Sequence, residues 1–232
     1  MTKSQFLSVR LSQKEQFYGL SYLVFQILFL PKLLNFLFLL LPIELSGTQR
    51  NLIYLSINLL AAALILNQYI LSFFPISGRK LLKILGIATA GFILYWIASM
   101  AIGHLVALLQ PDFTNRNDQA IMDMAETSYP LMFIGTVFFA PIAEECFFRG
   151  VLFRGIYDRS SAAAWLVSVC IFSAVHIIGH TASMTLSEMA LSFVQYLPAG
   201  ICLAASYYLS GSLVCPILIH ATINAVGMLT MR

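Results

Sequence analysis

From Gly86 to Leu109 the chain carries no Asp, Glu, Lys or Arg, and Leu55–Leu66 is equally free of charge. A helix crosses the hydrocarbon of a bilayer with about 20 apolar residues, so runs of this kind specify membrane helices. Transmembrane strands would be about half as long and would alternate apolar with polar residues, which these runs do not. Composition agrees. Hydrophobic residues make up 59% and charged residues 10%, with a mean hydropathy of +0.85, against about 25% charged in soluble domains. The expected fold class is all-α, a polytopic transmembrane helical bundle.

Apolar segments at Leu20–Leu41, Asn51–Phe74, Leu85–Leu109, Tyr129–Tyr157, Ala162–Gly179, Ala190–Leu209 and Leu213–Met231 predict about seven spans. Pro31-Lys32 interrupts the first, which is either one kinked span or an interfacial helix with a re-entrant piece, so the count runs from six to eight. Three spans fall in residues 1–128 and four in residues 129–232. The first apolar run is longer than a signal-peptide core and no small-residue cleavage pattern follows it; it reads as an uncleaved anchor. Lys3, Arg10 and Lys14 precede it, Arg79, Lys80 and Lys83 follow the second span, and Arg154 and Arg159 follow the fourth. In a seven-span chain these cations share one side, which the positive-inside rule makes cytoplasmic, the N-terminus included. Pro111–Ser128 falls on the other side, with Asp112, Asp118, Asp123 and Glu126 against Arg116.

The net charge of +3 comes from these loops, and no long basic tract points to nucleic acid. Cys146, Cys170, Cys202 and Cys215 stand in apolar segments, at spacings that make neither a zinc motif nor a disulfide framework. They read as small buried thiols.

Against this background, Pro141-Ile-Ala-Glu-Glu-Cys-Phe-Phe-Arg149 is anomalous. One ionisable group at the centre of a membrane helix costs roughly 2.5–3.5 kcal/mol even on the lenient insertion scale. Glu145 and Arg149, four apart with the acid first, face each other on a helix and neutralise one another. Glu144 points about 100° away and has no local partner. A desolvated, unpaired carboxylate suits a general base.

His176 lies as far after Ser160 as Glu144 lies before it. A helical hairpin turning near Asp158–Ala162 puts both about 24 Å from the turn, at matching heights. Measured from Arg154, Glu144 is expected about 15 Å deep, reached from the cytoplasmic side. The last apolar segment holds His220 and Asn224 on one helical face, two donors that can aim at one developing oxyanion. Pro216 before them is a candidate for loosening that helix.

Each polar residue also has a plainer reading. His104, with no polar companion, reads as an interhelical hydrogen-bonding residue, and His180 as a boundary or loop residue. Glu145 with Arg149 alone is explained as a structural ion pair. Phe138, Phe139, Phe147 and Phe148 read as lipid- or core-packing aromatics. Glu144, His176, His220 and Asn224 together, on three apolar helices, point instead to a site.

Glu144-Glu145-x-x-x-Arg149, Phe172-x-x-x-His176 and His220-x-x-x-Asn224 occur in the order and approximate spacing of the CPBP intramembrane protease family, the CAAX-protease and bacteriocin-processing group, also called Rce1-like or ABI. The chain resembles this family from about Tyr129 to its C-terminus. The resemblance implies that Glu144 and His176 activate a water, that His220 and Asn224 stabilise the oxyanion, and that Glu145, Arg149 and Phe172 support them. It implies a membrane-associated peptide or protein substrate, prenylated at a CAAX cysteine or, in a bacterial member, a membrane-bound peptide precursor. No cofactor is favoured. Zinc held by Glu144, His176 and His220 is the alternative, although the spacing lacks His-Glu-x-x-His and Asn224 suits an oxyanion better than a metal.

Two competing functions follow from the same residues. One is a non-catalytic membrane adaptor acting on a sensor kinase or in bacteriocin immunity. The other is a proton-coupled transporter, which the absence of an internal repeat disfavours.

Overall fold

The computed structural model describes residues 9–230; Lys3 and the last residue of the expected seventh span, Met231, lie outside the described residues. The described chain is ten helices and no strand. They are α1 (Gln13–Leu28), α2 (Leu30–Leu39), α3 (Gly47–Ile65), α4 (Asn67–Leu71), α5 (Gly78–Leu109), α6 (Arg116–Thr127), α7 (Tyr129–Tyr157), α8 (Ser161–Ile178), α9 (Leu186–Ser210) and α10 (Val214–Thr230). A short 3₁₀ turn, Thr181–Ser183, precedes α9.

Local chemistry sets the boundaries. Ser12 with Glu15, Ser46 with Gln49 and Thr185 with Glu188 form capping boxes that open α1, α3 and α9. Gly211, at φ 66°, closes α9 in the left-handed conformation that glycine takes without penalty. Pro31 stands in the first turn of α2, where its missing N–H is harmless, and the α1–α2 pair bends by 55° there. Pro216 likewise sits in the first turn of α10. It therefore leaves that helix unbroken instead of loosening it.

All seven expected segments are helical, but not all are equal as spans. α5, α7, α8 and α9 are each long and apolar enough to cross a membrane, and α1 with α2 makes a fifth if the bent pair is one span. α10 has 17 residues. α3 begins with the polar Thr48, Gln49, Arg50 and Asn51, which dilute its hydropathy. Length and composition thus support four or five spans where the sequence suggests about seven.

α7 is the central helix, with 56% of its apolar window buried against 6% for α5. It packs on α1, α3, α8 and α10, so helices from both halves of the chain enclose it. Phe147, Phe148, Val151 and Phe153 of α7 form the core with Leu66, Leu203 and Ile219. Phe138, on the same helix, is exposed. α5 presents Ile93, Leu94, Trp96 and Ile97 outward, as a lipid-facing helix should. The helix with the costly charges is therefore the one best shielded from lipid.

α7 is also irregular. Gly135–Phe139 and Cys146–Phe153 are π-helical. Pro141 has no N–H to return to the preceding turn, which accounts for the first widening.

The two ends of the bundle differ. At one end Arg154 donates to Val9 O (3.1 Å) and pairs with Asp158 (2.8 Å), Arg10 lies 3.8 Å from Asp158, and Lys80 donates to Phe73 O (3.3 Å). At the other end lies α6. Thr48 of α3 donates to Met124 O (2.6 Å), and Asn115, the N-cap of α6, donates to Gln195 of α9 (2.8 Å).

Candidate active site

Two adjacent carboxylates on α7 go to different places. Glu145 is wholly buried. Its Oε1 accepts from Arg149 Nη1 at 3.0 Å and lies 2.9 Å from His220 Nδ1 of α10. The ion pair expected from the four-residue spacing is thus present in the π-helical turn, and it has a third member absent from the sequence argument. Arg149 also donates Nη2 to Gly200 O at 3.2 Å and lies 4.3 Å from the ring centre of Phe172. Gly200 lets α8 and α9 approach closely here: a Cβ would stand 3.1 Å from Val169 Cγ1 and 3.4 Å from Val169 O of α8, and the neighbour would have to give by a few tenths of an ångström.

Glu144 reaches the other way, with about a quarter of its side chain accessible. Its Oε2 is buried and has no hydrogen-bond partner among the described residues. It lies 3.9 Å from His176 Nε2 and 4.0 Å from His220 Nε2. These gaps exceed a hydrogen bond and suit one shared small molecule between the groups.

The two histidines are oriented alike. His176 Nδ1 stands 2.7 Å from Phe172 O. A carbonyl only accepts, so Nδ1 carries the proton, and Nε2 of the neutral ring is a lone pair facing Glu144. Glu145 Oε1, which also accepts from Arg149, fixes His220 Nδ1 as a donor by the same logic. Phe172 packs on both rings, with centroids 4.7 Å from His176 and 5.8 Å from His220. Asn224, one turn beyond His220, donates Nδ2 to Thr136 O at 2.7 Å. That carbonyl lies in the first π-helical segment, and one further amide N–H of Asn224 remains.

Glu144, His176, His220 and Asn224 line one cavity of about 580 Å³. Most of the lining comes from the α6-side half of each helix: Gln26 of α1, Asn51 of α3, Ser99 of α5, Gln195 of α9 and Gly227 of α10. The cavity is therefore on the far side of Glu144 from Arg154 and Arg159, whereas the sequence suggested access from that basic side.

Sequence reasoning missed several lining residues. Tyr196 stacks on His176 with centroids 4.4 Å apart and an interplanar angle of 26°. Its hydroxyl donates to Asp118 (3.1 Å) and accepts from Asn117 Nδ2 (3.0 Å), both on α6. Burial raises the Asp118 pKa above its ordinary value, against the lowering effect of the Tyr196 hydrogen bond. The polar pair Gln195-Tyr196 inside an apolar span was the available signal. His180, placed in a loop as expected, also lines the cavity. His104 is exposed on α5, not engaged between helices.

Both imidazoles have Nδ1 engaged, the outer-shell pattern of metal-bound histidines, but the geometry does not fit zinc. Zinc–ligand bonds of about 2.0–2.2 Å across gaps of 3.9 and 4.0 Å would need angles far wider than tetrahedral. No group of three or more His, Cys, Asp or Glu among the described residues has metal-holding geometry. The four cysteines are free, with Cys146 and Cys215 buried.

Comparison with known proteins gives one match. Residues 126–226 fit the family model described as type II CAAX prenyl endopeptidase Rce1-like. No curated protein matches, and no solved structure does. The matched segment runs from the end of α6 through most of α10 and contains all three polar motifs. Residues 126–226 thus match an Rce1-like domain, the domain described as type II CAAX prenyl endopeptidase Rce1-like.

Proposed function

We propose that the chain is an intramembrane endopeptidase of the cell membrane, in which Glu144 and His176 activate water and His220 and Asn224 hold the oxyanion. One observation carries the reading: Glu144 Oε2, buried and unpartnered among the described residues, faces two imidazole Nε2 atoms at about equal distance. A water between Glu144 and His176 Nε2 is oriented by both. Glu144 takes its proton as the oxygen attacks the scissile carbonyl carbon. The carbonyl oxygen becomes an oxyanion, for which the free N–H of Asn224 and Nε2–H of His220 are the donors. His220 then needs protons on both ring nitrogens, one for Glu145 and one for the substrate. Collapse of the intermediate breaks the C–N bond, and Glu144 returns the proton to the leaving amine.

Glu145 and Arg149 hold His220 instead of reacting. The mechanism needs no metal. The substrate is a membrane-associated peptide, and the family description makes a prenylated CAAX peptide the first to try.

The test uses purified protein with a fluorogenic prenylated CAAX peptide and its unprenylated counterpart, each with and without chelator. Chelator-insensitive cleavage is expected. Cleavage abolished by chelator and restored by zinc would overturn the metal-free mechanism, and cleavage of neither peptide would count against the CAAX assignment.

A further inference from the structure

Asn224 is held by a carbonyl for which α7 has no donor of its own. Thr136 O accepts from Asn224 Nδ2 at 2.7 Å. Inside a helix the carbonyl of residue i takes the N–H of residue i+4, or of i+5 where the helix widens to π. For Thr136 these donors belong to Ala140 and Pro141. The Ala140 N–H bonds to Gly135 O instead, in the register of the π-helical segment Gly135–Phe139. Pro141 has no N–H. Thr136 O thus loses both backbone donors, and Thr136 is buried. A buried carbonyl left without a partner is costly. The Asn224 amide supplies the partner from α10.

The same bond sets the direction of the amide. A carbonyl only accepts, so the atom of Asn224 that faces Thr136 O is nitrogen, and the reversed amide would set oxygen against oxygen. The second N–H on that nitrogen is the one available to an oxyanion in the cavity that Asn224 lines. The widened segment is also braced by the first half of the chain. A Cβ on Gly135 would stand 3.1 Å from Leu55 Cδ1 and 3.3 Å from Leu52 Cδ1, so α3 lies close against it.

We infer that Pro141 is a positioning residue for Asn224: by withholding an N–H it frees Thr136 O to hold the side-chain amide and to fix it as a donor. The word oxyanion rests on the proteolytic reading, but the link from Pro141 through Thr136 O to Asn224 does not. Pro141→Ala restores the missing N–H. In π register that N–H goes to Thr136 O, and in α register the Ala140 N–H does. Either way the backbone takes the carbonyl that Asn224 now uses.

Two double-variant cycles test the link, and one needs no activity. Melting temperature in detergent is measured for wild type, Pro141→Ala, Asn224→Ala and the pair. Asn224→Ala strands Thr136 O and should lower the melting temperature. In the Pro141→Ala background, where the backbone supplies a donor, the same change should lower it less. Equal losses in the two backgrounds overturn the inference. Peptide cleavage is measured on the same four proteins. Pro141→Ala should lower kcat about 10–100-fold with little change in KM, and adding it to Asn224→Ala should lower kcat no further. A wild-type kcat for Pro141→Ala overturns the inference. So do losses that multiply, because Pro141 then acts through another group, such as Glu144 on the same helix. Pro141→Ser supplies the same N–H and should repeat both patterns; a pattern confined to one replacement also overturns it. Coupled melting in a protein that cleaves no peptide upholds the link from Pro141 to Asn224 and counts against the proteolytic reading alone.

Discussion

Replacing Glu145 by Gln separates the support of the site from its chemistry. Glu145 Oε1 holds Arg149 Nη1 at 3.0 Å and His220 Nδ1 at 2.9 Å, and both Glu145 and Arg149 are fully buried. The amide keeps the shape but removes the charge, leaving a guanidinium in the core with Gly200 O and the Phe172 ring as its remaining neighbours among those described here. Removing one partner of a buried pair costs about 3–5 kcal/mol. At roughly 2–4 °C per kcal/mol for a chain of this length, that predicts a melting-point loss of about 6–20 °C. Replacing the whole pair by uncharged residues of similar size is close to neutral, so Glu145→Gln with Arg149→Met should regain most of the lost stability. It should not regain activity, because His220 Nδ1 still lacks its carboxylate. The assay is thermal unfolding in detergent beside peptide cleavage for wild type, single and double variants. A single variant that melts like wild type would refute the buried-pair argument. A double variant with wild-type kcat would refute the assignment of Glu145 to His220.

Three further outcomes follow from the same geometry. Asn224→Ala removes one oxyanion donor and should lower kcat by about 10²–10³-fold with little change in KM; an unchanged kcat removes Asn224 from the mechanism. Tyr196→Ala unstacks His176 and should lower kcat about 10–100-fold, whereas Tyr196→Phe keeps the stack and most of the activity; equal loss in both would assign the effect to the hydroxyl contacts with α6. Asp118→Asn concerns pH. Because burial raises the folded-state pKa of Asp118, the folded protein holds this proton to higher pH than the unfolded chain, and the contribution of Asp118 to stability falls as pH rises from the ordinary aspartate range through its folded value. The Asn variant should therefore match wild type at acid pH and gain on it towards neutrality; a variant that loses ground with rising pH contradicts this.

Much of this site is readable in the sequence because lipid makes polar residues expensive. Glu144, Glu145, Arg149, His176, His220 and Asn224 stand out against apolar neighbours, and a spacing of four predicts the Glu145–Arg149 and His220–Asn224 faces. The mirror placement of Glu144 and His176 about Ser160 anticipates their approach to 3.9 Å. What sequence cannot give is the third partner of a pair. Glu145 with Arg149 looks complete along one helix, and only packing of α10 against α7 brings His220 to the same oxygen. Gln195-Tyr196 marks a polar interruption in an apolar span, but the partners of Tyr196, Asn117 and Asp118, come to it only when α6 folds over it. Length and composition give four or five spans where the apolar segments suggest about seven, because hydropathy windows treat each helix alone, whereas burial and the cavity are shared among eight helices.

The central claim is that Glu144, not Glu145, takes the proton from water. Glu144→Gln changes a single oxygen, in a group with no ion pair shorter than 3.9 Å, so the fold should survive it. The decisive measurement is the rate of peptide cleavage by purified Glu144→Gln protein whose melting matches wild type. The mechanism predicts a loss of at least about 10²–10⁴-fold, the contribution of a positioned general base. Cleavage at the wild-type rate by that folded variant would contradict it.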